Sequence, residues 1–230
     1  MKILYVIPAR GGSKGVPHKN IKLLNGKPLI YYSIDVARQL TTDDHICVST
    51  DDEEIIKVVE NYGLKVPFIR PSHLATDTAT TNDVLIHAIN FYEAKGDFYD
   101  VVVLLQPTSP LRNSRHVKDA INLYTNDIDL VVSVKESHAA SVICEENENG
   151  YLEFCFNKEG LRRQDVPNYY EYNGAIYIIN ANRLKKVNLS GFTIKKKYIM
   201  DEVSSIDIDT EIEWQLSEIL IRNIWYTSDD

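Results

Sequence analysis

The sequence predicts an α/β fold in which a parallel sheet carries helices on both faces. Short apolar runs alternate with segments of helical periodicity along residues 1–134. Two of these runs, residues 3–7 (ILYVI) and 100–106 (DVVVLLQ), are apolar almost throughout, as expected of strands buried on both faces. A chain of 230 residues, 44% of them hydrophobic, has enough apolar material for one such domain with an elaboration.

The elements of this alternation follow one another in order. The predicted strands are residues 3–7, 46–49, 64–69, 100–106 and 129–134. The predicted helices are residues 28–39, a segment from the polar cap at 49–52 to Tyr62, residues 77–94 and residues 114–124. The second helix stops at Gly63, a residue type that commonly ends helices. Strands that alternate with helices in this way predict a parallel sheet.

The pattern changes after Val134. Residues 137–198 are predicted to form an elaboration of shorter, partly antiparallel strands, and a later apolar run returns to the core. The predicted elements are strands at 152–156, 169–172, 174–179 (GAIYII) and 205–210 (SIDIDT) and a closing helix at 211–225.

Composition limits the partners and the compartment. The formal net charge of −8 argues against a nucleic-acid backbone as the main partner. All apolar runs are too short for a membrane span, so no membrane contact is expected. The chain enters a predicted strand at once, without the pattern of a signal peptide. Cys47, Cys144 and Cys155 form no CxxC pair, which favours reduced thiols and a cytoplasmic protein.

A basic, glycine-rich turn, residues 8–20 (PARGGSKGVPHKN), follows the first predicted strand. Its glycines let the backbone turn sharply, and successive N–H groups in such a turn can form an anion-binding nest. Residues 1–34 contain no Asp or Glu, whereas the basic residues there are Lys2, Arg10, Lys14, Lys19, Lys22 and Lys27. Because the whole chain is acidic, this local charge predicts a polyphosphate ligand.

The alternative for this turn is an ordinary strand-to-helix loop with solvated lysines, which the glycines alone would favour. Neither GxxxxGK[ST] nor GxGxxG is present. The acid-free run favours anion binding. In parallel sheets, ligands bind beyond the carboxyl ends of the strands. That rule predicts one crevice that collects residues 10–20, Asp51, Arg70 and residues 106–109.

A second chemical signal lies in the SIDIDT segment. If this segment is a strand, Asp207 and Asp209 point to one face while Ile206 and Ile208 point to the other. Two close carboxylates need a counter-charge, and Mg²⁺ takes oxygen ligands and bridges to phosphates. The alternative is a pair of surface or helix-capping acids before Glu211, which the DxD pattern alone would favour. Together with a polyphosphate loop, the pair predicts a metal site.

Four motifs occur here in order: PARGGSKGVPHKN, LLQPTSPLR, NGAIY and SIDIDT. Together they closely resemble the acylneuraminate cytidylyltransferases, the CMP-sialic acid synthetases. The resemblance implies transfer of CMP from CTP to the C2 hydroxyl of a nine-carbon keto acid, with release of pyrophosphate. It also implies a Rossmann-like domain spanning residues 1–230, a requirement for Mg²⁺, and a homodimer. Residues 137–198 would then serve dimerisation and complete the partner's sugar pocket.

The resemblance also implies roles for residues of the nucleotide site. Lys14 would neutralise the triphosphate, and Lys19 would contact the α-phosphate or steady the developing charge. Asp207 and Asp209 match the metal carboxylates, and one or both are candidates to help deprotonate the sugar hydroxyl through bound water. The residues implied to hold the nucleotide are Arg10, Gly11, Gly12, Ser13, Asn20, Arg70, Ala79 and Thr81.

For the sugar, the resemblance implies a strand end formed by Gln106, Thr108 and Ser109, with Tyr177 against the ring. Arg163 would pair with the sugar carboxylate through a bidentate fork, although the adjacent Arg162 fits equally well. Tyr177 could instead belong to the core, and Gln106 could only satisfy backbone groups. Related proteins can carry paired aromatic residues before the KYIM-like strand, but residues 190–193 here offer only Phe192.

Several functions compete at this stage. The substrate is expected to be a sialic acid or a bacterial relative such as legionaminic acid, with pseudaminic and ketodeoxyoctonic acids as neighbours. A metal-dependent glycosyltransferase is the alternative enzyme, because its DxD motif also holds a metal and a nucleotide-sugar. Its DxD usually follows a mid-chain strand, whereas this one lies near the end of the chain. A non-catalytic nucleotide-binding protein is the third class, and the presence of both Lys14 and Asp207 argues against it.

Overall fold

The computed structural model describes residues 1–12, 15–137, 142–155 and 168–227. Its strands in chain order are β1 (Ile3–Pro8), β2 (Leu23–Leu24), β3 (Lys27–Pro28), β4 (Ile46–Ser49), β5 (Val101–Leu104), β6 (Leu130–Ser137), β7 (Cys144–Glu146), β8 (Leu152–Phe154), β9 (Tyr169–Asn180) and β10 (Lys195–Ile199). Its α-helices are α1 (Leu29–Arg38), α2 (Glu53–Asn61), α3 (Thr81–Glu93), α4 (Ser114–Asn122), α5 (Ala181–Leu184) and α6 (Glu211–Thr227).

A six-stranded sheet in the order β10-β6-β9-β5-β1-β4 forms the centre of the fold. β1 is parallel to β4 and β5, and β10 is parallel to β6. β9 runs antiparallel to both of its neighbours, β5 and β6. The prediction of a mostly parallel α/β sheet is therefore confirmed.

The side chains of β1 alternate between two hydrophobic clusters, one on each face of the sheet. Tyr5 and Ile7 pack in the cluster that includes buried residues of α1, α2 and α4. Leu4 and Val6 pack in the opposite cluster with residues of α3 and α5. Both faces of the sheet are thus covered by helices, as the run of apolar residues in β1 predicts.

A third cluster sits under the glycine-rich loop. Trp214 and Ile221 of α6 pack there with Ile208, which is fully buried, and with Val16 of the loop. α6 therefore holds the aspartate-bearing segment against the loop at the carboxyl ends of the strands.

The late strands differ in length from the prediction. Residues 169–172 and 174–179, predicted as separate strands, are parts of the single strand β9. The β6–β9 pairing shifts register between Val132 and Val134, and Gly174 lies nearby at φ +75°, a conformation that favours glycine. The prediction that GAIYII returns to the core is confirmed, since Ala175, Ile176, Ile178 and Ile179 are buried.

Two strand predictions are wrong. Residues 64–69 form no strand, and among the described residues their sheet pairing is a single parallel bridge from Ile69 to Thr50. Pro67 in this segment has no N–H group to donate to a ladder. Residues 205–210 are irregular, because their backbone is fixed by tertiary bonds, such as Ile208 N–H to Thr108 O at 2.8 Å.

The predicted start of the third helix, at residue 77, is four residues early. The Thr80 hydroxyl accepts a hydrogen bond from the N–H of Asp83, and the Asp83 carboxylate accepts one from the N–H of Thr80. This capping box begins α3 at Thr81.

The elaboration contains an antiparallel hairpin of β7 and β8, which forms its own two-stranded sheet. Its predicted role in dimerisation stays a prediction. In the described part of the chain, no helix combines the length and the apolar character that a membrane crossing requires.

The two-sided core makes a prediction about stability. Ile7 is fully buried, whereas Ile212 on α6 is 78% exposed. We expect Ile7→Ala to lower the free energy of unfolding by about 2–5 kcal/mol, because it leaves a cavity between sheet and helices. The matched Ile212→Ala should change it by about 0.5 kcal/mol or less. Urea denaturation measures both, and similar losses in the two variants would contradict this account of the core.

Candidate active site

A cleft of about 430 Å³ opens at the carboxyl ends of β1 and β5. It is lined by Pro8, Arg10, Gly15, Lys19, Asn20, Arg70, Leu74, Thr76, Asp77, Ala79, Thr80, Thr81, Val84, Leu85, Gln106, Pro107, Thr108 and Asp209. The structure therefore brings the basic turn, Arg70, the start of α3 and the QPT loop together in one place.

The buried ammonium of Lys19 joins the loop to the aspartate-bearing segment. Its Nζ donates to Ile208 O at 2.6 Å and lies 3.1 Å from Asp209 Oδ1. Gly15 lies even closer to that segment: a Cβ at this residue would be 1.9 Å from the backbone oxygen of Asp209. The glycine is thus required by the close approach of two backbones.

Asn20 fixes the shape of the loop. Its side-chain amide donates to Arg10 O at 3.0 Å, and its own carbonyl accepts from the N–H of Ile30 at 2.9 Å. The N–H of Gly11 donates to Asp51 Oδ1 at 3.3 Å. Asn20 therefore braces the turn between β1 and α1.

Arg10 forms an ion pair across the cleft. Its Nη1 lies 2.8 Å from Asp77 Oδ1 and 3.4 Å from Thr76 O. Both partners belong to the segment before α3, which forms the opposite wall. This pair connects two sides of the opening with partly exposed side chains.

Arg70 places a buried cation in the cleft. Its Nε donates to Ser49 Oγ at 3.0 Å, and its Nη2 contacts the backbone oxygen of the same residue. Burial lowers the pKa of Arg70, and the charge of Asp51 partly opposes this shift. The Arg70 side chain thus bonds to neutral oxygen atoms of Ser49, while the charge of Asp51 balances its positive charge in part.

Asp207 lies next to Gly174, in the NGAIY motif. A Cβ at Gly174 would be 3.1 Å from Asp207 Oδ2 and 3.8 Å from Gln106 Oε1. Burial raises the pKa of Asp207, a contact with the Thr108 hydroxyl lowers it, and the nearby Asp209 raises it further. Its buried Oδ1 has no hydrogen-bond partner among residues 1–12, 15–137, 142–155 and 168–227.

Asp209 has an exposed side chain on the cleft wall, and its backbone is held by α6. Glu213 Oε2 accepts hydrogen bonds from the N–H groups of Asp209 and Thr210, both at 2.7 Å. Although burial opposes the effect, these bonds hold the pKa of Glu213 below its usual value. Thr210 and Glu213 thus form the capping box that begins α6, and in the described contacts this helix start uses neither the Asp207 nor the Asp209 carboxylate.

A second cavity of about 420 Å³ lies on the other side of Asp207. It is lined by Lys135, Glu136, Glu171, Tyr172, Asn173, Glu202, Ser205, Ile206, Asp207, Glu213 and Leu216. Tyr177 is close to this region, because its ring packs edge-to-face on Tyr172 at 6.4 Å between centroids. Burial raises the pKa of Tyr177, and the charge of Asp207 adds to the shift.

The predicted site residues fall into four groups. Those that line the first cleft are Arg10, Lys19, Asn20, Arg70, Ala79, Thr81, Gln106, Thr108 and Asp209, and those placed beside it are Gly11, Gly12, Asp207 and Tyr177. Ser109 is fully buried and lines neither of these cavities. Ser13, Lys14, Arg162 and Arg163 lie outside the described residues. Phe192 is only 3% exposed and packs in the core with residues of α3.

Sequence reasoning missed several residues that shape the site. Glu213 was readable, because Thr210-x-x-Glu213 matches a capping box before a helix. Asn173 donates to Ser205 Oγ at 2.9 Å and so anchors the start of the SIDIDT segment to β9. Arg112, the arginine of QPTSPLR, is 2% exposed and bonds to the backbone of Gln106, just after β5, and to Ala175 in β9. For Asn173 and Arg112, the only sequence feature that pointed to a role at the site was that each lies within one of the quoted motifs.

A model of the family described as cytidylyltransferase matches residues 4–218. The chain is 37% identical to CMP-N,N'-diacetyllegionaminic acid synthase of Legionella pneumophila, over 96% of this chain and 97% of that protein. It is 39% identical to N-acylneuraminate cytidylyltransferase of Streptococcus agalactiae serotype V, over 91% of this chain, but spans only 51% of that protein.

Among solved structures, CMP:2-keto-3-deoxy-manno-octonic acid synthetase complexed with CTP superposes with a TM-score of 0.72 at 18% identity. The match covers 97% of this chain and 99% of that one, so the fold prediction is confirmed. The resemblance to acylneuraminate cytidylyltransferases is confirmed by the relatives. These findings give no support to the alternative of a DxD glycosyltransferase.

The close approach at Gly15 makes a prediction with an internal control. We expect Gly15→Ala to lower the free energy of unfolding by about 1–3 kcal/mol, because its Cβ would overlap the Asp209 backbone. Gly12 has no described atom within 4 Å of the corresponding Cβ position, so Gly12→Ala should be nearly neutral. Thermal and urea denaturation measure both variants. Equal stability of the two would show that the loop does not touch the aspartate segment as described.

Proposed function

This chain belongs to the cytidylyltransferase family. We therefore propose that it transfers CMP from CTP to the C2 hydroxyl of a sialic-acid-like nine-carbon keto acid and releases pyrophosphate. The observation that carries the proposal is the meeting of a basic loop and two carboxylates. Lys19 of the loop and Asp209 of the C-terminal segment are in contact at 3.1 Å in one cleft. This is the arrangement that nucleotidyl transfer needs, because the reaction depends mainly on positioning and charge stabilisation.

We propose that CTP lies in the cleft of about 430 Å³. Its described lining contains three cations, Arg10, Lys19 and Arg70, and two carboxylates, Asp77 and Asp209. The basic turn supplies backbone N–H groups and the predicted phosphate ligand Lys14. Threonines and small residues at the start of α3 would face the base and ribose. The similarity to cytidylyltransferases supports a preference for CTP, and a site that hydrogen-bonds one base edge disfavours other bases because they leave its polar groups unpaired.

We propose that Asp207 and Asp209 hold Mg²⁺ when the nucleotide is bound. The donor set fits, because Asp207 Oδ1 is buried without a hydrogen-bond partner among the described residues, and the Asp209 side chain is 73% exposed on the cleft wall. Mg²⁺ commonly binds through one or two carboxylates together with substrate phosphates and water. It would neutralise charge on the transferring phosphate. Lys19 would neutralise further charge from the loop side.

Asp207 is also the candidate proton acceptor for the C2 hydroxyl of the sugar. A carboxylate in this place can help to remove the hydroxyl proton through bound water, and burial raises the pKa of Asp207 above its usual value. Thr108 and Gln106 lie beside it at the end of β5 and would orient the hydroxyl. Tyr177, which feels the charge of Asp207, would pack against the sugar from β9.

We propose that the sugar lies between Asp207 and Tyr177, towards the second cavity. The described lining of that cavity carries five carboxylates and one cation, Lys135, which pairs with Glu171 at 3.2 Å. An acidic sugar therefore needs a further cation for its carboxylate. Arg163, or the adjacent Arg162, is the proposed partner through a bidentate contact. The Legionella relative acts, by its name, on a diacetyllegionaminic acid, which makes that acid the first substrate to test.

We further propose a cytoplasmic homodimer. The hairpin of the elaboration exposes large apolar side chains, including Tyr151, Leu152 and Phe154 at 62–75% exposure. Such a patch is typical of a surface that another protein covers. The three cysteines are free, which fits a reducing compartment.

A panel of substrates tests the reaction. The protein is incubated with Mg²⁺, CTP and, separately, legionaminic, sialic, pseudaminic and ketodeoxyoctonic acids, and pyrophosphate is measured. We expect release with a nine-carbon acid and CTP, and much less with UTP, ATP or GTP. Release of free nucleotide from a nucleotide-sugar donor, without pyrophosphate from CTP, would instead support a glycosyltransferase and would contradict the proposal.

The two aspartates make a separate prediction. We expect Asp207→Asn and Asp209→Asn each to lower kcat by about a hundredfold or more, as loss of a major electrostatic contact does. Asp44→Asn is the matched control, because Asp44 is exposed and does not line the cleft, and it should keep wild-type kcat. Steady-state kinetics, with circular dichroism to confirm folding, measures all three. Near-wild-type turnover in both site variants would contradict the proposed metal site.

A further inference from the structure

Arg112 is a buried arginine that bridges three elements behind the cleft. It lies between β5 and α4 and is 2% exposed. Its Nη1 donates to Ala175 O at 2.8 Å and to Gln106 O at 3.1 Å, and its Nη2 donates to Ser33 Oγ at 2.6 Å. Ser33 Oγ in turn donates to Gln106 O at 3.3 Å. One guanidinium thus connects α1, the end of β5 and β9.

This cation has no carboxylate partner in the described part of the chain. Burial lowers the pKa of Arg112 to about 9, so the group still carries its proton at neutral pH. Burying a charge against neutral groups is costly, and an apolar side chain of similar size would avoid that cost. The planar fork of the guanidinium offers what an apolar residue lacks: donors fixed in direction towards two separate backbone oxygens.

The bridge replaces the sheet ladder at the point where the ladder stops. The pairing of β5 with β9 ends at Leu104 opposite Tyr177. Beyond it, Arg112 binds the carbonyl group of Gln106, two residues after β5, and that of Ala175 in β9. The guanidinium therefore sets the distance between the backbone segments of Gln106 and Ala175, beyond the last paired residues of β5 and β9.

Gln106 and Ala175, the two residues that Arg112 joins, belong to the segments that surround Asp207. Gly174 precedes Ala175, and a Cβ there would lie 3.1 Å from Asp207 Oδ2 and 3.8 Å from Gln106 Oε1. Thr108, two residues after Gln106, accepts the N–H of Ile208 at 2.8 Å. A change in the separation of Gln106 and Ala175 would therefore move the surroundings of Asp207.

We propose that Arg112 is a positioning residue, which fixes Gln106 against Ala175 and so holds the carboxylate of Asp207 in place relative to the nucleotide cleft. This inference rests on the proposed cytidylyl transfer. Arg112 itself lines neither cavity described above, so it acts through the groups it binds. Its loss is expected to affect the chemical step more than the binding of CTP, because Arg10, Arg70 and Asn20 are bound by other partners.

The test compares Arg112→Lys, which keeps the charge but loses the fork, with Ser33→Ala, which removes one partner of the guanidinium. Arg115→Lys is the matched control, because Arg115 lies in the first turn of α4 with an 87% exposed side chain. Steady-state kinetics gives kcat and the KM for CTP, and hydrogen–deuterium exchange of the substrate-free proteins reports on the backbone. Circular dichroism establishes that each variant is folded.

We expect Arg112→Lys to lower kcat by about tenfold to a hundredfold, as a displacement of about 1 Å in an active site can. The KM for CTP should stay within about twofold, Ser33→Ala should show a smaller loss of kcat, and Arg115→Lys should show none. Faster exchange in Arg112→Lys should be confined to peptides around residues 106–109, 174–176 and 206–209.

Three results would overturn the inference. They are a folded Arg112→Lys variant with wild-type kcat, a loss of kcat accompanied by an equal rise in the KM for CTP, and unchanged exchange around Gln106 and Ala175. Failure of the proposed function is a separate result, in which the wild-type protein releases no pyrophosphate from CTP with any of the acids. In that case the exchange experiment would still decide whether Arg112 holds the two strands together.

Discussion

The cleft depends on one buried ammonium group that bonds to a segment 190 residues later in the chain. Lys19 bonds both to the backbone of Ile208 and to the carboxylate of Asp209. Near this contact, Gly15 approaches the Asp209 backbone closely, and Trp214 and Ile221 of α6 pack in one cluster with Ile208. The Lys19 contact, together with this backbone approach and packing, holds the proposed phosphate site beside the proposed metal carboxylates. A salt bridge in this place therefore has a structural role, whatever its net free energy.

The three cations of the cleft differ in the side chains and backbone groups that they contact when no nucleotide is bound. Arg10 and Lys19 are paired with carboxylates, whereas Arg70 bonds to the neutral Ser49. A triphosphate could take over the first two cations only by replacing Asp77 and Asp209 as their partners. Arg70 needs no such exchange and presents its charge at once. Nucleotide binding would then be coupled to a rearrangement of ion pairs at the mouth of the cleft and to release of Asp209 from Lys19.

Local sequence features predicted the parallel strands and the place where their polar ends meet. The side chains of the run ILYVI are apolar on both faces of the strand, which predicted a buried strand. The rule that ligands bind beyond strand ends correctly placed Arg70 and Gln106 in one cleft. The conformation of residues 205–210 was not predictable in this way, because the alternation of Ile and Asp resembles a strand while the actual constraints come from Thr108 and Lys19. The strand prediction at 64–69 overlooked Pro67, although that signal was local. The burial of Phe192 depends on packing against α3, which no local pattern encodes.

β9 has a consequence for the order in which this protein can be synthesised and folded. It lies between β5 and β6, yet both neighbours precede it in the chain. Until β9 has left the ribosome, the facing edges of β5 and β6 have no partner in the final sheet, and long-range pairing of this kind forms slowly. A nascent or truncated chain that ends before residue 169 would expose two apolar strand edges and would lack both Asp207 and Asp209. Unpaired strand edges favour aggregation, so the order of strands in this sheet makes such a fragment prone to aggregate.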